Sequence, residues 1–156
     1  MEKALVKILN NKFILDKKYY DKIGRIGKME KEYIYLDPEE VLYCLKKGWI
    51  TVENIKNFEE FLEKYYDKID FKKYYVFEDL RNKGYYTEIR DIFIVIYENE
   101  KKEKISYYVY PIFEQELLYV KEILEIMDKY GFDKIILGII DIEKEIVYYE
   151  IKKINL

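Results

Sequence analysis

Histidine is absent from this 156-residue chain. It is the only side chain whose unperturbed pKa lies near neutrality. Serine–histidine and cysteine–histidine nucleophilic sites and histidine-ligated metals are therefore excluded, while acid–base work by carboxylates, tyrosine or lysine is not. Cysteine occurs once, at Cys44, so neither a disulfide nor a cysteine-ligated zinc is available within one chain. Its apolar helical surroundings read as those of a buried small hydrophobe. Arginine, the usual reader of phosphates and bases, is confined to Arg25, Arg81 and Arg90, and glutamine to Gln115. The formal net charge is −3, whereas an RNA-binding module normally has a basic surface; work on RNA would be done in company. No apolar run approaches the roughly 20 residues of a membrane helix, and Met1-Glu2-Lys3 leads into no signal-peptide core. The expectation is a cytoplasmic protein with no membrane association.

Half of the residues are hydrophobic, enough for a core in one compact domain or two small ones. Lysine, glutamate, isoleucine and tyrosine are abundant, a bias of thermophiles and of AT-rich genomes alike. Ala4–Leu9 and 13–15 read as strands joined by an Asn10-Asn11 turn, with a loop around Gly24 and Gly27 and another strand over 32–36. Asp37-Pro38-Glu39-Glu40 is a helix start: Asp37 caps, Pro38 suits the first helical position and Glu40 closes a capping box. That helix carries Val41, Leu42 and Leu45 and ends near Gly48. A second opens around Glu53 with Ile55, Phe58 and Leu62 along one side, and a third runs from about Asp70 to Lys83.

After Gly84 the period changes to two. Residues 85–89, 92–97 and 105–110 read as strands, the last two joined by the charged loop 98–103, and Pro111 stops the third. Residues 114–129 form an amphipathic helix with Leu117, Val120, Leu124 and Met127 as its inner stripe and Gly131 as its stop. Residues 135–140 are apolar at almost every position, as a strand covered on both faces would be. The final strand, 146–151, follows the acidic connection Asp141-Ile142-Glu143-Lys144-Glu145. The class is α+β, with a small N-terminal α+β domain over 1–72 and a second domain over 73–156.

Two segments carry a more specific signal. Asp79-Leu80-Arg81-Asn82-Lys83-Gly84-Tyr85 is a helix end, a glycine stop and a strand entry. It resembles the corner that opens the C-terminal, catalytic-type domain of archaeal tRNA-splicing endonucleases. The second segment, Asp141-Ile142-Glu143-Lys144-Glu145-Ile146-Val147-Tyr148-Tyr149, resembles the terminal motif of the same family at the right separation. The Asp-Pro-Glu-Glu helix start and Gly48-Trp49 resemble its N-terminal domain more weakly. The resemblance implies a C-terminal α/β endonuclease-like domain with a mixed sheet and a packed helix.

In catalytic members of that family a tyrosine, a histidine and a lysine cleave the phosphodiester without metal or cofactor, leaving a cyclic phosphate and a 5′-hydroxyl. Here the tyrosine position falls on Tyr97, the histidine position on Ile105 and the lysine position on Asp133. The arginine that holds a bulged base falls on Ile126. The resemblance therefore implies no catalytic residues and a non-catalytic, structural subunit, with Tyr97 as a remnant. It further implies assembly as a two-plus-two heterotetramer with a catalytic subunit, and contact with precursor tRNA through that complex. The partner-binding residues it points to are Asp141, Glu143 and Glu145, entering a basic cleft, and Val147, Tyr148, Tyr149 and Ile151 on an edge strand. A solvated hairpin turn is the plainer reading of the acids. Two further readings stand beside it: an autonomous nuclease using Asp79, Asp91 and Glu88 with magnesium, and an adaptor that pairs through its C-terminal edge strand.

Overall fold

Asn10 and Asn11 both take the left-handed conformation, φ 52° and 62°, which makes a tight hairpin whose twist matches its strands. They join β1 (Ala4–Leu9) to β2 (Lys12–Asp16) in the computed structural model. The structure describes residues 2–156; Met1, where the expected 1–72 domain begins, lies outside the described residues. The fold is α+β, in two units: one ends at Tyr74 and the other spans Tyr75–Leu156.

In the first unit β3 (Lys28–Glu30), β4 (Tyr33–Leu36) and β5 (Ile50–Val52) complete a sheet of order β3-β4-β2-β1-β5. All its pairs are antiparallel except β1 with β5. Alternation sends Ala4, Val6, Phe13, Leu15, Ile34 and Leu36 into the core, and turns Leu5, Lys7, Lys12 and Tyr33 to solvent. Helix α1 (Pro38–Lys47) opens on the expected capping box, with the Glu40 carboxylate accepting the Asp37 N–H at 2.8 Å. It closes on Gly48 at φ 76°. Cys44 is buried within it.

Helix α2 (Phe58–Tyr65) begins later than the sequence predicts. Glu53 is held back because its carboxylate accepts the Ile8 N–H, and Asn54 is left-handed at φ 63°. Asn57 supplies the cap instead, accepting the Glu60 N–H at 2.9 Å. The fully buried residue of α2 is Phe61, not the predicted Ile55–Phe58–Leu62 stripe, and it meets Phe13 at a ring separation of 5.5 Å.

Helix α3 (Phe71–Asn82) leads to the sheet of the second unit. Its strands are β6 (Thr87–Arg90), β7 (Phe93–Tyr97), β8 (Ile105–Phe113), β9 (Lys134–Ile140) and β10 (Ile146–Lys152), in the order β10-β9-β8-β7-β6. Pairing is antiparallel except β8 with β9, which α4 (Val120–Tyr130) connects. Strand β8 runs through Pro111 rather than stopping there. Its last β7 pair is Ile94 with Val109, so at Pro111 that side of β8 is an edge, where a missing donor is tolerated.

Helix α4 starts at Val120 rather than 114, and its inner side is Ile123 and Met127. Leu117 is 80% exposed, and Val120 and Leu124 are also exposed. The helix is rotated because Tyr130 and Phe132 pack on Phe93, at ring separations of 5.0 and 5.4 Å, which turns the Ile123–Met127 side onto the sheet. The chain before it is held in a turn, where Glu116 accepts the Phe113 N–H at 3.2 Å.

Candidate functional site

Arg81 explains the corner. Its Nε donates to Thr87 Oγ1 at 3.1 Å and its Nη2 to the Thr87 carbonyl at 2.8 Å, while the guanidinium lies over the rings of Phe77 and Tyr86. The planar fork fixes the entry of β6 against the end of α3. Gly84, at φ 93°, makes the turn between them. Asp79, one helical turn before Lys83, bonds it at 2.8 Å and accepts the Tyr148 hydroxyl at 2.7 Å. Burial, followed by that bond to Asp79, pushes the Tyr148 pKa far above its usual value.

Tyr97 closes β7 and is buried. Its hydroxyl donates to Glu88 Oε2 at 3.0 Å and accepts from Arg90 Nη2 at 3.1 Å. The other Glu88 oxygen faces Lys102 Nζ at 3.5 Å, and the Glu88 and Lys102 side chains are each only 7% exposed. Partial burial would lower the Arg90 pKa, but the neighbouring Tyr97 and Glu88 charges outweigh it and raise it. Ile105, where the resemblance placed a histidine, pairs with Tyr97 across β7 and β8. The parallel register, Val109 opposite Ile136, carried back along both strands sets Ile105 level with Phe132, beside Asp133. The fold thus gathers Tyr97, Ile105 and Asp133 at one end of the sheet.

Asp133 lines a cavity of about 420 Å³ together with Ser106, Tyr108, Phe132, Lys134 and Lys152. Lys134 and Lys152 are direct cross-strand partners, and Lys134 Nζ lies over the Tyr107 ring at 5.1 Å. Ile126, at the arginine position, packs half-buried against the core beneath α4.

The acidic connection is a tight turn rather than an extended loop. Asp141 Oδ1 accepts the N–H groups of Glu143 and Glu145, both at 2.9 Å, and the Asp141 N–H donates to the Glu145 carbonyl at 2.8 Å. Asp141 therefore shapes the turn, while Glu143 and Glu145 stand in solvent. Lys144, left-handed at φ 68°, reaches back over the Tyr75 ring at 5.4 Å.

Strand β10 is an edge of the sheet. On one face Ile151 packs against the core under α4, while Val147 and Tyr149 remain 51% and 55% exposed. An ion pair between Lys153 and Asp128, 2.6 Å, holds one flank of α4 over the end of β10. Leu124 lies one turn before Asp128 on that flank. Tyr148 points to the other face and is taken up by Asp79.

Asp79, Asp91 and Glu88 do not converge. Asp79 serves Tyr148, Glu88 serves the Tyr97 cluster, and Asp91 accepts the hydroxyl of Tyr130. Among the described residues no group of three or more acidic or thiol side chains is placed to hold a metal ion. Sequence reasoning missed Arg90, Lys102, Lys134 and Lys152. Arg90 had a readable signal, since it stands two positions from Glu88 on one strand face; Lys102 lay in a loop whose geometry the sequence does not disclose.

Residues 4–62 match the family model described as tRNA intron endonuclease, N-terminal domain. The chain is also similar to the tRNA-splicing endonuclease of Methanococcus vannielii, 28% identical with 88% of this chain and 89% of the relative covered. The Methanococcus maripaludis tRNA-splicing endonuclease is 27% identical over the same shares. These matches make the chain similar to tRNA-splicing endonucleases over most of its length.

Proposed function

We propose that this chain is the structural, non-catalytic subunit of a heteromeric tRNA-splicing endonuclease, assembling two plus two with a catalytic subunit that cuts precursor tRNA at intron–exon junctions. The observation that carries the reading is the state of the Tyr97 corner. Attack by a ribose 2′-hydroxyl needs a group to take its proton, one to protonate the leaving oxygen, and a cation for the developing phosphorane charge. Here the tyrosine hydroxyl is engaged by Glu88 and Arg90, its strand partner is the aliphatic Ile105, and Asp133 brings negative charge where positive charge is required. A partner must then supply the chemistry.

Two features support assembly as the remaining role. Glu143 and Glu145 offer exposed carboxylates to a basic cleft, and the β10 edge presents Val147 and Tyr149 beside unpaired backbone groups. Asp141 contributes by fixing the turn, Tyr148 by holding the strand to α3, and Ile151 by seating it on the core. The test is cleavage of an intron-containing precursor tRNA by the purified chain, by a histidine-bearing homologue from the same genome, and by the two together. Activity is expected only when the homologue is present. Cleavage by this chain alone would overturn the proposal.

A further inference from the structure

The sheet of the first unit has one covered and one open face. On the open face the registers align residues into rows. Lys7 pairs with Ile14, Ile14 with Tyr35, and Tyr35 with Lys28, so one row reads lysine, isoleucine, tyrosine, lysine. Lys12 Nζ lies over the Tyr35 ring at 5.8 Å. Tyr33, two positions along β4 on the same face, stands roughly 7 Å from Tyr35 and is exposed. Among the described residues none of Lys7, Lys12 and Lys28 forms an ion pair, although the chain as a whole carries a net charge of −3. Asp16 and Glu30 sit in the neighbouring row beside Tyr33, and Glu30 and Asp37 line a cavity with Lys12, Lys28 and Tyr35, while the Tyr35 row itself ends in Lys7 and Lys28.

We propose that this face is a binding platform for single-stranded RNA. Unpaired bases stack on Tyr35 and Tyr33, and Lys7, Lys12 and Lys28 take the phosphates. Stacking is open to any base whose face is free, and a pair of aromatic rings on an exposed sheet with flanking cations serves it without sequence readout. A duplex hides its base faces, so the platform selects unpaired segments. Charge and aromatic rings together favour RNA: phosphates neutralise the lysines and release counterions, while bases stack on the tyrosines. The choice of RNA rests on the function proposed above, but the site lies outside the corner and edge that the proposed assembly role uses.

The experiment titrates the full chain, alone, with a labelled single-stranded RNA long enough to cross the sheet, and with a duplex of the same sequence, at two salt concentrations. Single strand is expected to bind more tightly than duplex. Lys7→Gln, Lys12→Gln and Lys28→Gln together should weaken it by about tenfold or more and flatten its salt dependence. Tyr33→Ala with Tyr35→Ala should weaken it comparably while leaving the salt slope unchanged. Tyr35→Phe keeps the ring and the packing and should bind as wild type does, which separates stacking from loss of fold. Unchanged affinity in the lysine variant, or equal binding of duplex, overturns the proposal. So does a face whose substitution reduces assembly with another chain and not RNA binding. None of these readouts involves cleavage, so failure here leaves the structural-subunit reading standing, and the reverse.

Discussion

Tyr148 donates its phenolic hydrogen to the Asp79 carboxylate at 2.7 Å across a sequence separation of 69. The bond unites the two segments that carry the resemblance to tRNA-splicing endonucleases, the helix–strand corner and the terminal strand. Lys83 completes the arrangement, paired with Asp79 and lying over the Tyr148 ring at 5.0 Å.

Tyr148→Phe should therefore lower stability by about 1–2 kcal/mol, since the ring still packs and only a bond to a partly exposed carboxylate is lost. The pH dependence has a definite sign. The folded chain holds the Tyr148 proton more tightly than the unfolded chain, where it leaves near the ordinary value of 10. Stability from this group is complete below pH 10 and declines as the pH rises beyond it. Urea denaturation at neutral and alkaline pH should find a decline in wild type that Tyr148→Phe reduces.

Tyr97→Phe separates chemistry from folding. The activity of the assembled enzyme should be unchanged, while the variant loses about 1–2 kcal/mol because buried Glu88 forfeits a donor. Lys102→Met should cost more, about 3 kcal/mol, since it leaves Glu88 with Arg90 as its remaining cation. Thermal melts of the isolated chain beside cleavage rates of the complex give both readings. A large fall in rate with Tyr97→Phe would return the hydroxyl to the reaction.

In the acidic turn the carboxylates divide. Asp141→Ala should destabilise the chain by about 1 kcal/mol or more, because two backbone N–H groups lose their acceptor. Glu143→Gln with Glu145→Gln should shift stability by no more than about 0.5 kcal/mol. That same pair should weaken association with the catalytic subunit by about 2–5 kcal/mol and lessen its salt dependence. A titration of the labelled subunit at two salt concentrations tests this. Equal affinities would mean that these glutamates face water in the complex.

Lysine placed on the β10 edge is a milder probe than proline, which would also disturb the Tyr148 bond. Val147→Lys with Tyr149→Lys should leave the isolated chain folded, because both side chains are half exposed, and should prevent strand addition at the edge. Light scattering should then report a smaller assembly. An undisturbed heteromer would place its interface elsewhere.

Local chemistry was readable wherever one residue decides the backbone. Asp37, Glu40, Gly48, Gly84 and Gly131 marked helix ends correctly, because caps and left-handed stops need particular residues. What failed depended on neighbours distant in sequence. Leu117 and Val120 have helical spacing, yet the rings of Phe93, Tyr130 and Phe132 settle which side of α4 meets the sheet. Pro111 looks like a strand terminator until the length of β7 is known. At the candidate site, the residue types at 97, 105 and 133 were plain. The engagement of the Tyr97 hydroxyl was not, because Lys102 approaches Glu88 from a loop, and Asp141 gave no sign that its carboxylate would turn inward.

The order of strands in the second sheet repeats their order along the chain, so β6, β7 and β8 pair through short connections and only β8 with β9 spans a helix. The first sheet cannot form that way, since β1 finds β5 more than forty residues on, at Ala4 opposite Ile50. Loop closure between distant segments slows folding more than it lowers stability. Refolding from urea should accordingly show two phases, with Trp49 fluorescence, reporting the first unit, lagging behind the recovery of strand signal from the meander. In translation the slow unit leaves the ribosome first, which gives its long-range pairing a head start over the rapidly closing half that follows.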